Sequence, residues 1–269
     1  MSHPDQHAPS RRALLRGAAV TSGAAVLGGA LTIGGATGAS AQAEPALSVR
    51  ADWNARPPSS PVQVLATPPT FIVVHHTATP NSTDYSLDHA LALSRSIQNF
   101  HMDTNGWIDA GQQLTISRGG HIMEGRDRSL PAIREGTHCL GTHVADNNST
   151  CIGIENEGTY MDTGPTDALV DSLVATLAWL CEAYNLDPQV AILGHRDFNA
   201  TACPGDVLYA MLPDLRGATA SVLEAKGVQI PTARAVDPAD APTYPPVPEE
   251  EPNHAFYHGP MRGADDISR

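Results

Sequence analysis

Phe71-Ile72-Val73-Val74-His75-His76 is the stretch that decides the fold. It is short, rich in β-branched residues, entered through Pro68-Pro69 and left through a Thr/Pro/Asn turn, so it reads as a buried strand. Downstream, Ser86 to Phe100 carries Leu87, Ala90, Leu91, Ser94, Ile97 and Gln98 near helical spacing, with Asp88 in the first turn, and predicts an amphipathic helix. Gln112 to Arg118 and His121 to Glu124 flank Gly119-Gly120, a hairpin signal. Cys151-Ile152-Gly153-Ile154-Glu155 reads as another strand. Thr166-Asp167 opens a long helix through Tyr184, whose apolar face is Leu169, Leu173, Val174, Leu177 and Leu180. Val190 to Leu193 forms a short strand ending at Gly194-His195, and Pro204 starts a helix to about Leu212. Strands alternating with helices, interrupted by one hairpin, imply an α/β fold: a central mixed β-sheet covered by helices in a single domain.

Both ends of the chain differ from this middle. Ser10-Arg11-Arg12-Ala13-Leu14-Leu15-Arg16 precedes a weakly apolar stretch, Gly17 to Ala36, and two A-x-A sites at Ala39-Ser40-Ala41 and Ala41-Gln42-Ala43. This is the pattern of a signal peptide over 1–43, and Arg11-Arg12 gives it twin-arginine character. A stretch so rich in Gly and Ala makes a poor spanning helix, and no second long apolar run follows. A secreted or cell-wall location, with no integral membrane segment after cleavage, is therefore expected. Residues 228–269 are proline-rich and acidic, including Glu249-Glu250-Glu251, and read as an extended or disordered tail. About 48–218 is left as one domain with a substantial core.

Removing Arg11, Arg12, Arg16 and Asp5 with the leader turns 16 basic and 29 acidic residues into 13 and 28, a net of −15. So acidic a chain has no basic stripe to release counterions from a polyphosphate, which excludes nucleic acid as a partner.

His75 lies at the C-terminal end of its strand, where α/β folds place ligand chemistry. His195 lies at the end of another, and Cys203 follows eight residues later. Two imidazoles and one thiolate are a donor set for a catalytic zinc ion, which keeps three protein ligands and one open position. Among twelve histidines, however, chance pairs are common, so the spacing alone decides nothing.

Further blocks surround these residues: Arg50-Ala51-Asp52-Trp53, Val74-His75-His76-Thr77, Gly106-Trp107-Ile108-Asp109-Ala110-Gly111, Ile122-Met123-Glu124-Gly125-Arg126, Ile152-Gly153-Ile154-Glu155, and Gly194-His195-Arg196-Asp197 with Cys203-Pro204-Gly205. In content and order they resemble the peptidoglycan recognition protein and type 2 N-acetylmuramoyl-L-alanine amidase family, over about residues 49–216. The resemblance implies that family's fold, a Zn2+ cofactor held by His75, His195 and Cys203, and a peptidoglycan muropeptide as partner and substrate. The implied reaction is hydrolysis of the amide between N-acetylmuramic acid and L-alanine by an exported bacterial enzyme. His76, next along the strand, points to the opposite face and is read as packing or support.

Three more positions carry the implied chemistry. Glu155 stands where bacterial amidases of the family place a catalytic glutamate, with Glu157 as its back-up on the same strand face; a plain surface carboxylate is the alternative for each. Thr201, two residues before the cysteine, stands where family amidases carry Thr or Lys beside the metal, and equally suits a turn. Gln112 departs from the pattern, because many catalytic members have tyrosine after the Gly111 position. A glutamine donates and accepts hydrogen bonds but cannot shuttle a proton at neutral pH. That departure keeps a second function open, a peptidoglycan-binding module without catalysis, although members that only bind usually lack the cysteine. A zinc hydrolase of another amide is a third. His121, His138 and His143 are candidates to line a groove. With Cys203 on metal, Cys139, Cys151 and Cys181 remain, and an exported chain favours at least one disulfide, with three possible pairings; buried reduced cysteines acting as small apolar side chains are the alternative. A monomer is the expected state.

Overall fold

The structure, a computed structural model, describes residues 44–230, 255–257 and 259–261. The leader pattern of 1–43 lies outside the described residues. In chain order the elements are β1 (Val64–Leu65), β2 (Phe71–His76), α1 (Leu87–Asn99, continued by a π-helical turn over Phe100–Thr104), β3 (Leu114–Ile116) and β4 (Ile122–Glu124). There follow α2 (Ser129–Glu135), β5 (His138–Cys139), β6 (Cys151–Asn156), α3 (Asp167–Tyr184), α4 (Pro188–Ala191), β7 (Ile192–Gly194), a 3-10 turn over His195–Asp197, α5 (Asp206–Ala210) and α6 (Leu212–Ala225).

The main sheet has the order β4-β3-β6-β2-β7. β3, β6, β2 and β7 run parallel, while β4 is antiparallel to β3. The mixed sheet expected from the sequence is thus observed, with the Phe71–His76 strand flanked by parallel neighbours on both sides. β1 and β5 pair separately in a two-stranded antiparallel ribbon. That ribbon and α2 are too short to leave a periodic pattern in sequence.

Alternation along the strands separates two chemistries. One face presents Ile72, Val74, Leu114, Ile116, Ile152, Ile154 and Ile192, all within 1 % of complete burial. It packs with Leu169, Leu173, Leu177 and Leu180 of α3 and Leu215 and Leu223 of α6 in a single apolar cluster. Thr166 caps α3, its hydroxyl accepting from Leu169 N at 3.2 Å, and Asn185 ends the helix in the left-handed conformation at φ 54°. The opposite face carries Val73 and Cys151 under Val144, and Met123 under Trp53 and Ala90 of α1. It also carries the candidate site. Among the described residues, no helix is long and apolar enough to cross a membrane.

The strand read over 190–193 is β7 at Ile192–Gly194 with α4 before it, and the helix read from Pro204 to about Leu212 is α5 at Asp206–Ala210. Two domain limits also differ from the sequence reading. α6 runs to Ala225, past the limit of 218, because Val222 and Leu223 continue its apolar stripe and Val228 and Ile230 pack on the same core. The tail expected from 228 onward is not wholly solvated, since Pro260 and Met261 hydrogen-bond to the domain and Met261 is buried.

Leu177 sits at the centre of the α3 contact, so Leu177→Ala should lower the unfolding free energy by about 2–5 kcal/mol. Leu87→Ala, at a position 44 % exposed, should change it by less than about 0.5 kcal/mol. Urea unfolding of the two variants checks the contrast.

Candidate metal centre

The site forms where the parallel strands end. Val74 is in register with Gly194, so the next step along β2 and β7 brings His75 beside His195, with ring centroids 4.7 Å apart. After the 3-10 turn the chain doubles back. Arg196 N bonds to Cys203 O at 3.0 Å, and Cys203 N donates to the Thr201 hydroxyl at 3.0 Å. This returns the Cys203 sulfur to 3.6 Å from His75 Nδ1. The candidate ligand atoms of His75, His195 and Cys203 all lie within 4.8 Å of one another, and all three residues are fully buried.

Hydrogen bonds around the cluster set which nitrogen faces inward. The Cys151 carbonyl can only accept, so His143 Nε2, 3.1 Å away, carries the proton. His143 Nδ1 then accepts from His75 Nε2 at 3.0 Å. The neutral His75 ring therefore presents its lone pair on Nδ1, the nitrogen nearest the sulfur. By the same argument His195 Nε2 donates, having the Pro260 carbonyl at 2.8 Å and Asn199 Oδ1 at 3.0 Å, which leaves Nδ1 as its donor atom. His76 N donates to the Cys203 sulfur at 3.4 Å, a contact that favours the thiolate. Two oriented imidazoles and a supported thiolate fit a zinc ion, each first ligand being held by a second group.

Position 153 has to be glycine for this. A Cβ there would stand 2.6 Å from His143 Nδ1, so only glycine lets that ring lie against β6. Asn148 Oδ1 holds the loop from the other side, accepting from His143 N at 2.7 Å and Val144 N at 3.0 Å. Sequence reading named His143 only as a possible groove residue. Its role against His75 joins residues 68 apart, a separation that leaves no local pattern.

Two of the remaining candidates, Glu155 and Gln112, join one row. Glu155 is in register with His75, and Thr115 with Glu155, so three side chains from adjacent strands share one face beside the cluster. Glu155 is 1 % exposed. Gln112, also buried, donates through Nε2 to the Thr115 hydroxyl at 2.9 Å, which joins it to the same row. Thr201 is fully buried, and its oxygen caps Cys203 N as a turn residue would.

Glu157, the back-up carboxylate, is occupied elsewhere. Its oxygens bond to His89 Nε2 at 2.5 Å and Arg118 N at 2.8 Å, tying α1 to the β3–β4 turn. His76 faces the α3 side, where its Nδ1 lies 3.5 Å from Tyr160 N. His121 contacts the Tyr85 carbonyl at 3.1 Å. His138 bonds to the Asn148 carbonyl at 2.8 Å, and burial pushes its pKa down against that hydrogen bond. Neither His121 nor His138 belongs to the cluster of metal-capable groups.

The disulfide expectation is corrected in favour of its alternative: Cys139, Cys151 and Cys181 are buried, and none of them forms a disulfide. Each serves as a small apolar side chain in a different element, Cys181 within the α3 core and Cys151 under Val144. Burial pushes the Cys139 thiol up to about 11 and that of Cys181 up to about 12.

Fold and donor set together define a small α/β protein built around a candidate zinc centre. The chain belongs to the N-acetylmuramoyl-L-alanine amidase family, whose model matches residues 65–206. It is 36 % identical over 171 residues to the N-acetylmuramoyl-L-alanine amidase of Sus scrofa, covering 62 % of this chain but only 27 % of that much longer relative. Among solved structures it resembles Drosophila PGRP-LB, with TM-score 0.54 and 30 % identity over 62 % of this chain and 92 % of that one. A point mutant of the same Drosophila protein, solved in complex with tracheal cytotoxin, matches with TM-score 0.53 and 29 % identity, covering 62 % and 92 %. The fold is that of the peptidoglycan recognition proteins.

If His143 sets the His75 tautomer, His143→Ala should weaken zinc binding by about 10–100-fold. Competition against a chromophoric chelator measures this, and His143→Gln should recover part of the loss.

Proposed function

We propose that this chain is an exported bacterial zinc amidase that cleaves peptidoglycan between the lactyl group of N-acetylmuramic acid and L-alanine. The observation that carries the proposal is the convergence of His75, His195 and Cys203, with the outer nitrogens of both rings already engaged. Family membership supplies the reaction class, and the tracheal cytotoxin complex of Drosophila PGRP-LB supplies the class of ligand. The twin-arginine pattern supports export and a bacterial source.

His75, His195 and Cys203 would hold the zinc ion, which supplies Lewis acidity toward the amide carbonyl and makes water acidic enough to attack at neutral pH. Glu155, on the same sheet face as His75, takes the proton from the attacking water and returns it to the leaving amine. Gln112 positions the substrate: its Nε2 is committed to Thr115, and its buried Oε1, with no partner among the described residues, is an acceptor for an amide N–H. Thr201, whose hydroxyl oxygen accepts from Cys203 N beside the cluster, is placed to stabilise the developing oxyanion. Burial of the whole row excludes bulk water and strengthens each of these contacts.

Gln112 also motivates the second reading, a module that binds peptidoglycan and does not cut it. Digestion of defined muropeptides with mass detection, alongside metal analysis, separates the two. The amidase releases free stem peptide, and chelation or Cys203→Ala abolishes release. Glu155→Gln should lower turnover by roughly 10²–10⁴-fold while zinc stays bound. Metal-replete protein that binds muropeptide and releases nothing would leave the binding module standing instead.

A further inference from the structure

A centre that hydrolyses a glycopeptide polymer has to admit it, yet His75, His195, Cys203 and Thr201 are all fully buried. The chain that closes over them comes from far downstream. Phe256 N donates to the Thr77 carbonyl at 3.0 Å, and its ring lies 5.6 Å from that of Phe100. The Pro260 carbonyl accepts from His195 Nε2 at 2.8 Å and from Ala145 N at 3.2 Å. The Met261 carbonyl accepts from Asn148 Nδ2 at 3.0 Å, and the Met261 residue is 6 % exposed. These anchors belong to the exit of β2, the end of α1, the loop that carries His143, and the metal-ligand loop. They surround the centre.

Gly259 makes the closest approach. Its φ is +109°, a conformation that L side chains rarely adopt, and a Cβ there would stand 2.5 Å from the Thr201 hydroxyl oxygen. Only glycine can lie on Thr201 in this way.

We propose that residues 255–257 and 259–261 form an intramolecular strap that keeps the centre latent by occupying the cleft through which the substrate's peptide stem enters. This concerns regulation of the site and rests on the amidase reading. Every hydrogen bond named for the strap is made by its backbone, through one N–H and two carbonyls, so it presents the kind of donor and acceptor that a peptide stem also presents. Being covalently attached, it competes at an effective concentration on the order of millimolar, and turnover falls to the fraction of molecules in which it is released. Release leaves the centre intact. Asn199 Oδ1, 3.0 Å from His195 Nε2, still holds that ring when the Pro260 carbonyl has gone.

The test compares the full-length chain with its Gly259→Val variant, the valine being too large for the Thr201 contact. Phe256→Ala serves as a second, milder release of the same segment. Two quantities are read: the rate at which iodoacetamide labels Cys203, mapped by peptide mass, and the rate of stem-peptide release from a defined muropeptide. Both rates should rise by roughly tenfold or more in Gly259→Val and by a smaller factor in Phe256→Ala. Faster labelling without cleavage by any of the three proteins upholds the strap and overturns the amidase reading. Labelling of Cys203 that is equally slow in all three overturns the strap, whatever the turnover.

Discussion

The site depends on the parallel register of β2 with the strands on either side of it. β6 brings Glu155 level with His75, and β7 ends one residue short of His195, so three functional side chains reach the same edge without any loop having to carry them there. A slip of one residue in β2 would turn His75 to the α3 face and His76 to the site, because strand side chains alternate. What fixes the register is the apolar face below. Ile72 and Val74 must lie among Ile152, Ile154, Ile192 and the leucines of α3, and a slipped strand would bury His75 in that cluster. The hydrophobic effect under the sheet thus sets the position of the donors above it.

The polar face needs a different kind of support, since a buried polar group without a partner costs roughly 1–3 kcal/mol. Here each ring is satisfied on its outer side: His75 by His143, His143 by the Cys151 carbonyl, His195 by Asn199 and the Pro260 carbonyl. The same bonds fix the tautomers, so satisfying the buried groups and preparing them as ligands are one event. Gly153 is the steric condition for it, which gives a physical reason for glycine in the middle of the Ile152-Gly153-Ile154-Glu155 block.

This explains what could be read from the sequence and what could not. His75 and His195 each sit within a local word at a strand end, Cys203 sits within one on the loop that follows, and the α3 pattern from Thr166 to Tyr184 is periodic, so the donors and the layer beneath them were legible. His143 was not, because its meaning depends on a contact 68 residues away and on an absent side chain at 153. Which of the two cysteine readings holds was not legible for a related reason. Compartment predicts whether a disulfide is permitted, whereas pairing requires that two sulfurs meet, and here Cys151 and Cys181 lie in separate apolar clusters. The contacts made by the described part of the tail were not legible because composition averages over a long acidic, proline-rich stretch. Phe256, Gly259 and Met261 are a few residues within it, and composition does not register which of them fit a particular surface.

Gln112 becomes intelligible beside the strap. A tyrosine at that position would bring its own ionisable proton; a glutamine brings a fixed pair of hydrogen-bonding atoms, one of them already held by Thr115. On the amidase reading, proton transfer would rest on Glu155 alone, and the row Gln112, Thr115, Glu155 would divide into positioning at one end and chemistry at the other. Such a site gains from being dry, because its neutral dipoles count for more at low dielectric than in water. On the proposed strap, the segment over it would keep it dry when no substrate is bound, and a peptide stem in the same cleft would do so during turnover. Occlusion and catalysis would thus place the same demand on the cleft, which is to bind one backbone closely enough to exclude water.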